Sequence, residues 1–198
     1  MEHAPDQEPS RARPPAKRVD AARNRDTILT AARAALAEAP HSSMAEIARR
    51  AGVGMATLYR NFPGRRELLE ALYAEQVETV CAAAEDEAAA AASPGAAFTA
   101  WLGRFLAFSA GKHHIAQELL AQVDHDSPLF NDNRSRVLAA GRPLLAAAQQ
   151  THEVRAELSL EQILDMVIAI TGIHGDARYT GPILRAALDG LRPANVDP

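Results

Sequence analysis

Residues 46–62 read EIARRAGVGMATLYRNF, and this stretch cannot form one continuous helix. Gly52 and Gly54 interrupt its helical apolar pattern, and glycine both weakens a helix interior and supplies the left-handed backbone that ends one. The stretch therefore reads as two short helices about a glycine turn. Helices crossing steeply at close range need a small residue at the crossing and a glycine where the chain turns. Ala48 and Gly52, four residues apart, meet those needs. Ile47, Val53 and Leu58 are then expected to close a small core against a preceding helix. At about 100° per residue, Leu58 and Phe62 fall on one side of the second helix and Ala56, Thr57 and Arg60 roughly opposite, with Met55 and Tyr59 on the flanks.

The flanking segments support this geometry. Ser43 stands as an N-cap with Glu46 three residues on, the spacing of a capping box. Upstream, Ile28, Leu29, Ala32 and Leu36 share one face of a helix expected over Asp20–Ala39, with Pro40 after its end. Downstream, a helix is expected from about Arg65, burying Leu68, Leu69, Leu72, Val77 and Val80. Ser93-Pro94-Gly95 breaks the chain, and further helices are expected over about 95–110, 112–122, 128–150, 159–174 and 179–191. Gly141-Arg142-Pro143 is expected to kink or split the 128–150 helix. Alanine is abundant and no period-2 alternation is sustained, so the expected class is all-α.

Charge divides the chain in the same place. Residues 1–66 carry twelve Lys and Arg against seven Asp and Glu, a balance of +5, whereas 67–198 stand at -9. A basic front suits a polyanionic partner, and it equally suits a basic tail on an ordinary helical domain. Residues 1–19, rich in proline and charge, are expected to be a disordered arm bearing Arg11, Arg13, Lys17 and Arg18. The remainder divides into a three-helix unit over 20–66 and a larger helical unit over 67–198. No apolar stretch approaches the roughly 20 residues that cross a bilayer, and the polar first ten residues lack a signal-peptide core. A single cysteine, Cys81, excludes an intrachain disulfide framework, and a cytoplasmic protein is expected.

A helix whose outer face begins with small and polar side chains fits the DNA major groove. The Thr57 and Tyr59 hydroxyls can bond phosphates, and Arg60 can reach a phosphate or a guanine edge. Arg65 and Arg66, with the amides opening the next helix, offer another phosphate site. The bland alternative is a helical hairpin with a solvated face.

NRDTILTAARAALAEA followed by SMAEIARRAGVGMATLYRNFPGRRELLEALY resembles the N-terminal region of TetR-family transcriptional regulators, over about residues 20–80. The rear, beginning LYAEQVETVCAAAE, resembles members grouped as SbtR-like. The resemblance implies a DNA-binding domain over 20–66 and a regulatory and dimerisation domain over 67–198. It places DNA contacts at Met55, Ala56, Thr57, Tyr59 and Arg60, and a phosphate contact at Arg65, where the family often has lysine. Ser43 and Gly54, which open the two short helices, and Arg66 complete the candidate set. Gly54 stands where a capping serine is frequent, and Met55 and Ala56 where Lys or Arg and Gly are frequent, so base readout there rests on apolar contacts such as thymine methyls.

The same resemblance implies a homodimer on a palindromic double-stranded operator, held by the last two helices of each chain, and a small-molecule effector of unknown identity. Leu160, Ile163, Leu164, Val167 and Ile168 form one candidate dimer stripe; Ile183, Leu184, Ala187, Leu188 and Leu191 form another. From spacing alone both stripes suit intrachain core equally well. Phe98, Trp101, Phe105 and Phe108 recur along one helix face, as core or as the edge of a ligand cavity. Leu120, Phe130, Arg134, Met166 and His174 are the further candidate lining residues. His113-His114 and Asp124-His125-Asp126 lack a recognised metal-ligand spacing, so no metal or cofactor is expected. No nucleophile–base–orienter set is visible. The expected function is a ligand-responsive repressor; the rivals are a small helical enzyme or hydrophobic-ligand carrier, and a regulator without an effector.

Overall fold

The computed structural model describes residues 15–111, 115, 118, 119 and 128–193, and these form eight helices with no strand among them. In chain order they are α1 (Pro15–Glu38), α2 (Met44–Ala51), α3 (Met55–Asn61), α4 (Arg65–Ala90), α5 (Pro94–Gly111), α6 (Pro128–Gln150), α7 (Leu160–Thr171) and α8 (Ala177–Asp189). The chain divides into two compact units, one up to Leu68 and one from Leu69, so the division falls inside α4.

In the first unit α1 packs on α2 and α3. Its buried face is Ile28, Leu29, Ala32, Ala35 and Leu36, and Ile47, Ala48, Leu58, Phe62 and Leu68 are the other buried apolar residues of the unit. α1 begins at Pro15, inside the stretch expected to be a disordered arm. Proline is tolerated in a first helical turn, where its missing N–H would have had no partner. Arg11 and Arg13 lie outside the described residues. The end of α1 is tied by buried Ser42, whose hydroxyl donates to the carbonyls of Ala35 at 3.1 Å and Ala39 at 2.8 Å.

In the second unit α5 packs on α6 and α7, and α8 packs on α7. Trp101 is fully buried, and its indole N–H donates to Val80 O of α4 at 3.0 Å, which satisfies the one polar atom of a large apolar side chain. The indole lies across Gly141 of α6, where any Cβ would fall on the ring. The expected split at Gly141-Arg142-Pro143 does not occur: α6 runs continuously through Pro143. Val137, Leu138, Leu144, Leu145 and Ala148 are buried on both sides of the proline, and that packing offsets the ~3 kcal/mol cost of proline in a helix interior.

The connection after α6 is held by backbone acceptors and one carboxylate. Gln149 donates its amide to Arg155 O and Leu158 O at 3.0 Å each, and Arg155 N donates to Leu191 O at 2.9 Å. Glu153 accepts from the Ser93 and Thr151 hydroxyls and from the Gly95 amide at the start of α5, and these bonds hold its carboxyl below the usual range. α7 opens with a full capping box: Ser159 Oγ accepts from Gln162 N at 3.3 Å, and Gln162 Oε1 from Ser159 N at 2.9 Å. Among the described residues no helix is long and apolar enough to cross a membrane.

Gly141→Ala is expected to destabilise the second unit by about 1–3 kcal/mol through overpacking against Trp101. Trp101 is the only tryptophan, so its fluorescence in a urea titration reads the shift directly. An unchanged midpoint would mean that the indole is not seated on this glycine.

Candidate nucleic-acid interface

The geometry of α2 and α3 follows from the turn between them. Gly52 adopts φ 67° and ψ 25°, the left-handed region. Its N–H donates to Arg49 O at 3.2 Å and the Val53 N–H to Ala48 O at 3.1 Å, the pair of bonds that defines a Schellman ending. Ala48, 3% exposed, leaves room for the crossing. Two residues later the chain re-enters a helix, with Gly54 O accepting from Thr57 N and Leu58 N.

α2 departs from the expectation at its start. Ser43 Oγ accepts from Glu46 N at 3.2 Å, but the reciprocal half of the capping box is absent. The Glu46 carboxylate instead accepts from Arg49 at 2.7 Å and Arg50 at 2.9 Å, and Arg50 also pairs with Glu38 of α1 at 2.7 Å. Two guanidiniums are stronger donors than one backbone amide. They lower the Glu46 carboxyl to about 2 and raise Arg50. The Arg50–Glu38 link between α1 and α2 is complete above the ordinary carboxylate range and is lost as pH falls through the lowered Glu38 titration.

α3 buries Leu58 completely and Phe62 to 1% exposure. The other side of the helix carries Met55 at 39% and Tyr59 at 47% exposure, with Ala56 and Arg60 exposed and Thr57 half-buried. Two exposed large side chains on a seven-residue helix are unusual for a plain surface and suit a docking face. Arg60 Nη2 donates to Thr57 Oγ1 at 2.8 Å, so the hydroxyl orients the guanidinium on that face. Gly54 opens α3 without any side-chain cap bond.

The expected phosphate site at α4 looks different. Arg65 is half-buried and donates to the carbonyls of Ser42 and Pro40, the latter at 3.1 Å. It fastens the α1–α2 connection to α4, a role invisible in sequence because its partners are backbone atoms over 20 residues away. The Glu67 carboxylate lies against Gly64 at the first turn of α4. Arg66 is exposed in the same turn. Sequence reasoning missed Arg25, whose guanidinium lies 4.5 Å from the Phe62 ring centroid and whose Nη1 donates to Asn61 O at 3.4 Å.

The candidate pocket residues fall into separate places. Trp101 and Phe105 are buried and stacked, Phe105 meets Phe108, and Tyr73 touches both Phe108 and Phe130. Arg134 is exposed and paired with Asp165 at 3.0 Å, Met166 is half-buried, and Leu120 lies outside the described residues, as do His113, His114, Asp124, His125 and Asp126. His174 lines a surface cleft of about 440 Å³ with Leu106, Ile170, Thr171, Thr180 and Leu184. Cys81 is half-buried, and burial pushes its thiol up, away from the lowered range of a reactive cysteine. Of the candidate dimer residues, Leu160, Ile163, Val167 and Leu191 are buried within the protomer. Ile183 is exposed, and Leu184, Ala187 and Leu188 are half-buried.

The family of bacterial regulatory proteins described as the tetR family matches residues 28–72, and the C-terminal domain described as SbtR-like transcriptional regulator matches 93–193. No curated protein sequence gives a significant match. Among solved structures, the TetR transcriptional regulator SCO0520 from Streptomyces coelicolor is 30% identical, with 86% of this chain and 99% of that chain covered and a TM-score of 0.69. The TetR regulatory protein from Mycobacterium vanbaalenii is 31% identical over 89% of this chain and 99% of that one, also at 0.69. The regulator FadR from Bacillus subtilis, solved with stearoyl-CoA, shares the fold at 20% identity, covering 83% and 96% with a TM-score of 0.56.

Thr57→Ala and Tyr59→Phe are each expected to weaken DNA binding by about 1 kcal/mol while leaving helicity unchanged by circular dichroism. Equal affinity in both variants would remove this face from the interface. Gly52→Val is expected to cost roughly 1–3 kcal/mol of stability and to lower DNA affinity with it, because a β-branched residue resists positive φ. A wild-type melting curve would show the turn to be placed wrongly.

Proposed function

The chain belongs to the TetR family of transcriptional regulators, with an SbtR-like C-terminal domain, and from that premise we propose a ligand-responsive repressor that binds a two-fold operator as a homodimer. Regulators of this family bind DNA and are not enzymes. The observation that carries the finer reading is the face of α3: Leu58 and Phe62 are spent on the core, while Met55, Ala56, Tyr59 and Arg60 are turned to solvent. Such a face reads one half-site, and a two-fold operator needs two copies in fixed relation. Phosphate contacts supply most of the affinity; α3 supplies sequence choice. The protein works in the cytoplasm, beside the chromosome.

α7 and α8 supply the dimer face in this proposal. α7 turns Leu160, Ile163 and Val167 inward, which leaves Ile168 outside at 46% exposure; Ile173, Tyr179 and Ile183 are exposed at 36%, 61% and 36%. Four large apolar residues left in water on two packed helices and their connection favour a partner. Leu184, Ala187 and Leu188 border that face.

The effector is placed in the cleft at His174. Its 440 Å³ lies within the ordinary range for small-molecule sites. The Thr171 and Thr180 hydroxyls donate to Ile168 O and Asp176 O, which leaves their oxygens the role of acceptors. An apolar body with a hydrogen-bond donor suits this lining. Release from DNA then requires that the ligand favour the conformation that fits the operator less well.

The first test is binding to the DNA immediately upstream of the protein's own gene, with excess competitor at two salt concentrations. A two-fold protected site is the expected result, and absence of binding to any duplex at low salt would count against the whole reading. The double variant Ile168→Glu/Ile183→Glu is expected to sediment as a helical monomer and to lose two-fold protection. A dimeric double variant would place the interface elsewhere. A cleft ligand is expected to raise the melting temperature of the protein and lower its operator affinity together.

A further inference from the structure

We infer that Arg25 is a positioning residue for the reading helix, seating the carboxyl end of α3 on α1 and thereby deciding which bases α3 meets. The inference rests on the sequence-specific reading proposed above. An exposed arginine in a DNA-binding unit would ordinarily be assigned to a phosphate. The contacts of Arg25 point inward instead. Its guanidinium carbon stands 4.5 Å from the centroid of the Phe62 ring, and Phe62 is 1% exposed and caps α3. Its Nη1 donates to Asn61 O at 3.4 Å.

Two carbonyls one turn back already have donors. Thr57 O accepts from Asn61 Nδ2 at 2.8 Å, and Leu58 O from Phe62 N at 2.8 Å. Arg25 thus supplies the terminal carbonyl and places positive charge at the negative end of the helix dipole. Stacking and donation occur together only because the guanidinium is planar, and an ammonium at the same place cannot reproduce both. α1 is anchored through Ile28 and Leu29, three and four residues from Arg25 and fully or nearly buried, so the contact ties α3 to a fixed support. Arg60, oriented by Thr57, lies within one turn of the seat, and a shift of about 1 Å there takes its bond to a guanine edge out of range.

The test uses full-length wild type, Arg25→Lys and Arg25→Ala. The DNA probes are a duplex selected by the wild type from a random-sequence pool and an unrelated duplex of equal length. Both variants are expected to lose about tenfold in the ratio of selected to unrelated affinity. The salt dependence of Arg25→Lys is expected to stay at the wild-type slope, and its melting temperature close to wild type. A wild-type ratio in Arg25→Lys would overturn the inference, since charge alone would then suffice. So would an unchanged ratio in Arg25→Ala with a salt slope shallower by about one, which marks a phosphate contact. Loss of both affinities in step with melting temperature would reduce Arg25 to general support and overturn it as well. If the wild type selects no sequence, specific reading fails and this inference falls with it. If it selects one that Arg25→Lys reads equally well, only this inference fails.

Discussion

A helix of seven residues has no stability of its own in water, because it makes too few hydrogen bonds to offset the conformational entropy lost in fixing its first turn. α3 therefore exists through what holds it from outside, and the reading face depends on that support. Leu58 and Phe62 hold it by burial against the first unit's core. Gly52 fixes how the chain enters it, and Arg25 fixes how the chain leaves it. The division of labour around the helix follows. Side chains that anchor α3 are closed to any partner, and the exposed ones contribute little to anchoring.

The anchoring half was legible in the sequence. A glycine pair inside an apolar helical pattern left few foldings open, and the bounds of α3 were readable from Gly54 and Phe62-Pro63. The electrostatic half was not. Spacing identified Ser43 and Glu46 as a capping box but could not weigh the competition from Arg49 and Arg50 for one carboxylate. Arg65 read as a phosphate ligand by position, and its bonds to the Pro40 and Ser42 carbonyls were unreadable, because backbone acceptors leave no mark in a sequence. The true capping box lies at Ser159 and Gln162, where no guanidinium contests the amide.

In the second unit the aromatic periodicity correctly marked an inward face but not its purpose. Phe98, Trp101, Phe105 and Phe108 form one connected run of rings that continues through Tyr73 to Phe130. A proline in α6 suggested a break because propensity is local, whereas the packing that keeps α6 whole comes from residues on both sides of it. The α7 stripe was similarly ambiguous: period alone cannot tell a protomer's own core from a partner's surface. Nor does period tell that Val167 is buried and Ile168 exposed.

The seat of the indole on Gly141 also bears on how such a chain can diverge. Trp101 occupies the volume that a side chain at 141 would need, so neither position can drift alone. A methyl group acquired at 141 would press on the indole, and a smaller residue at 101 would give up the bond to Val80 O. Three sites on three helices are thereby bound into a single inherited unit.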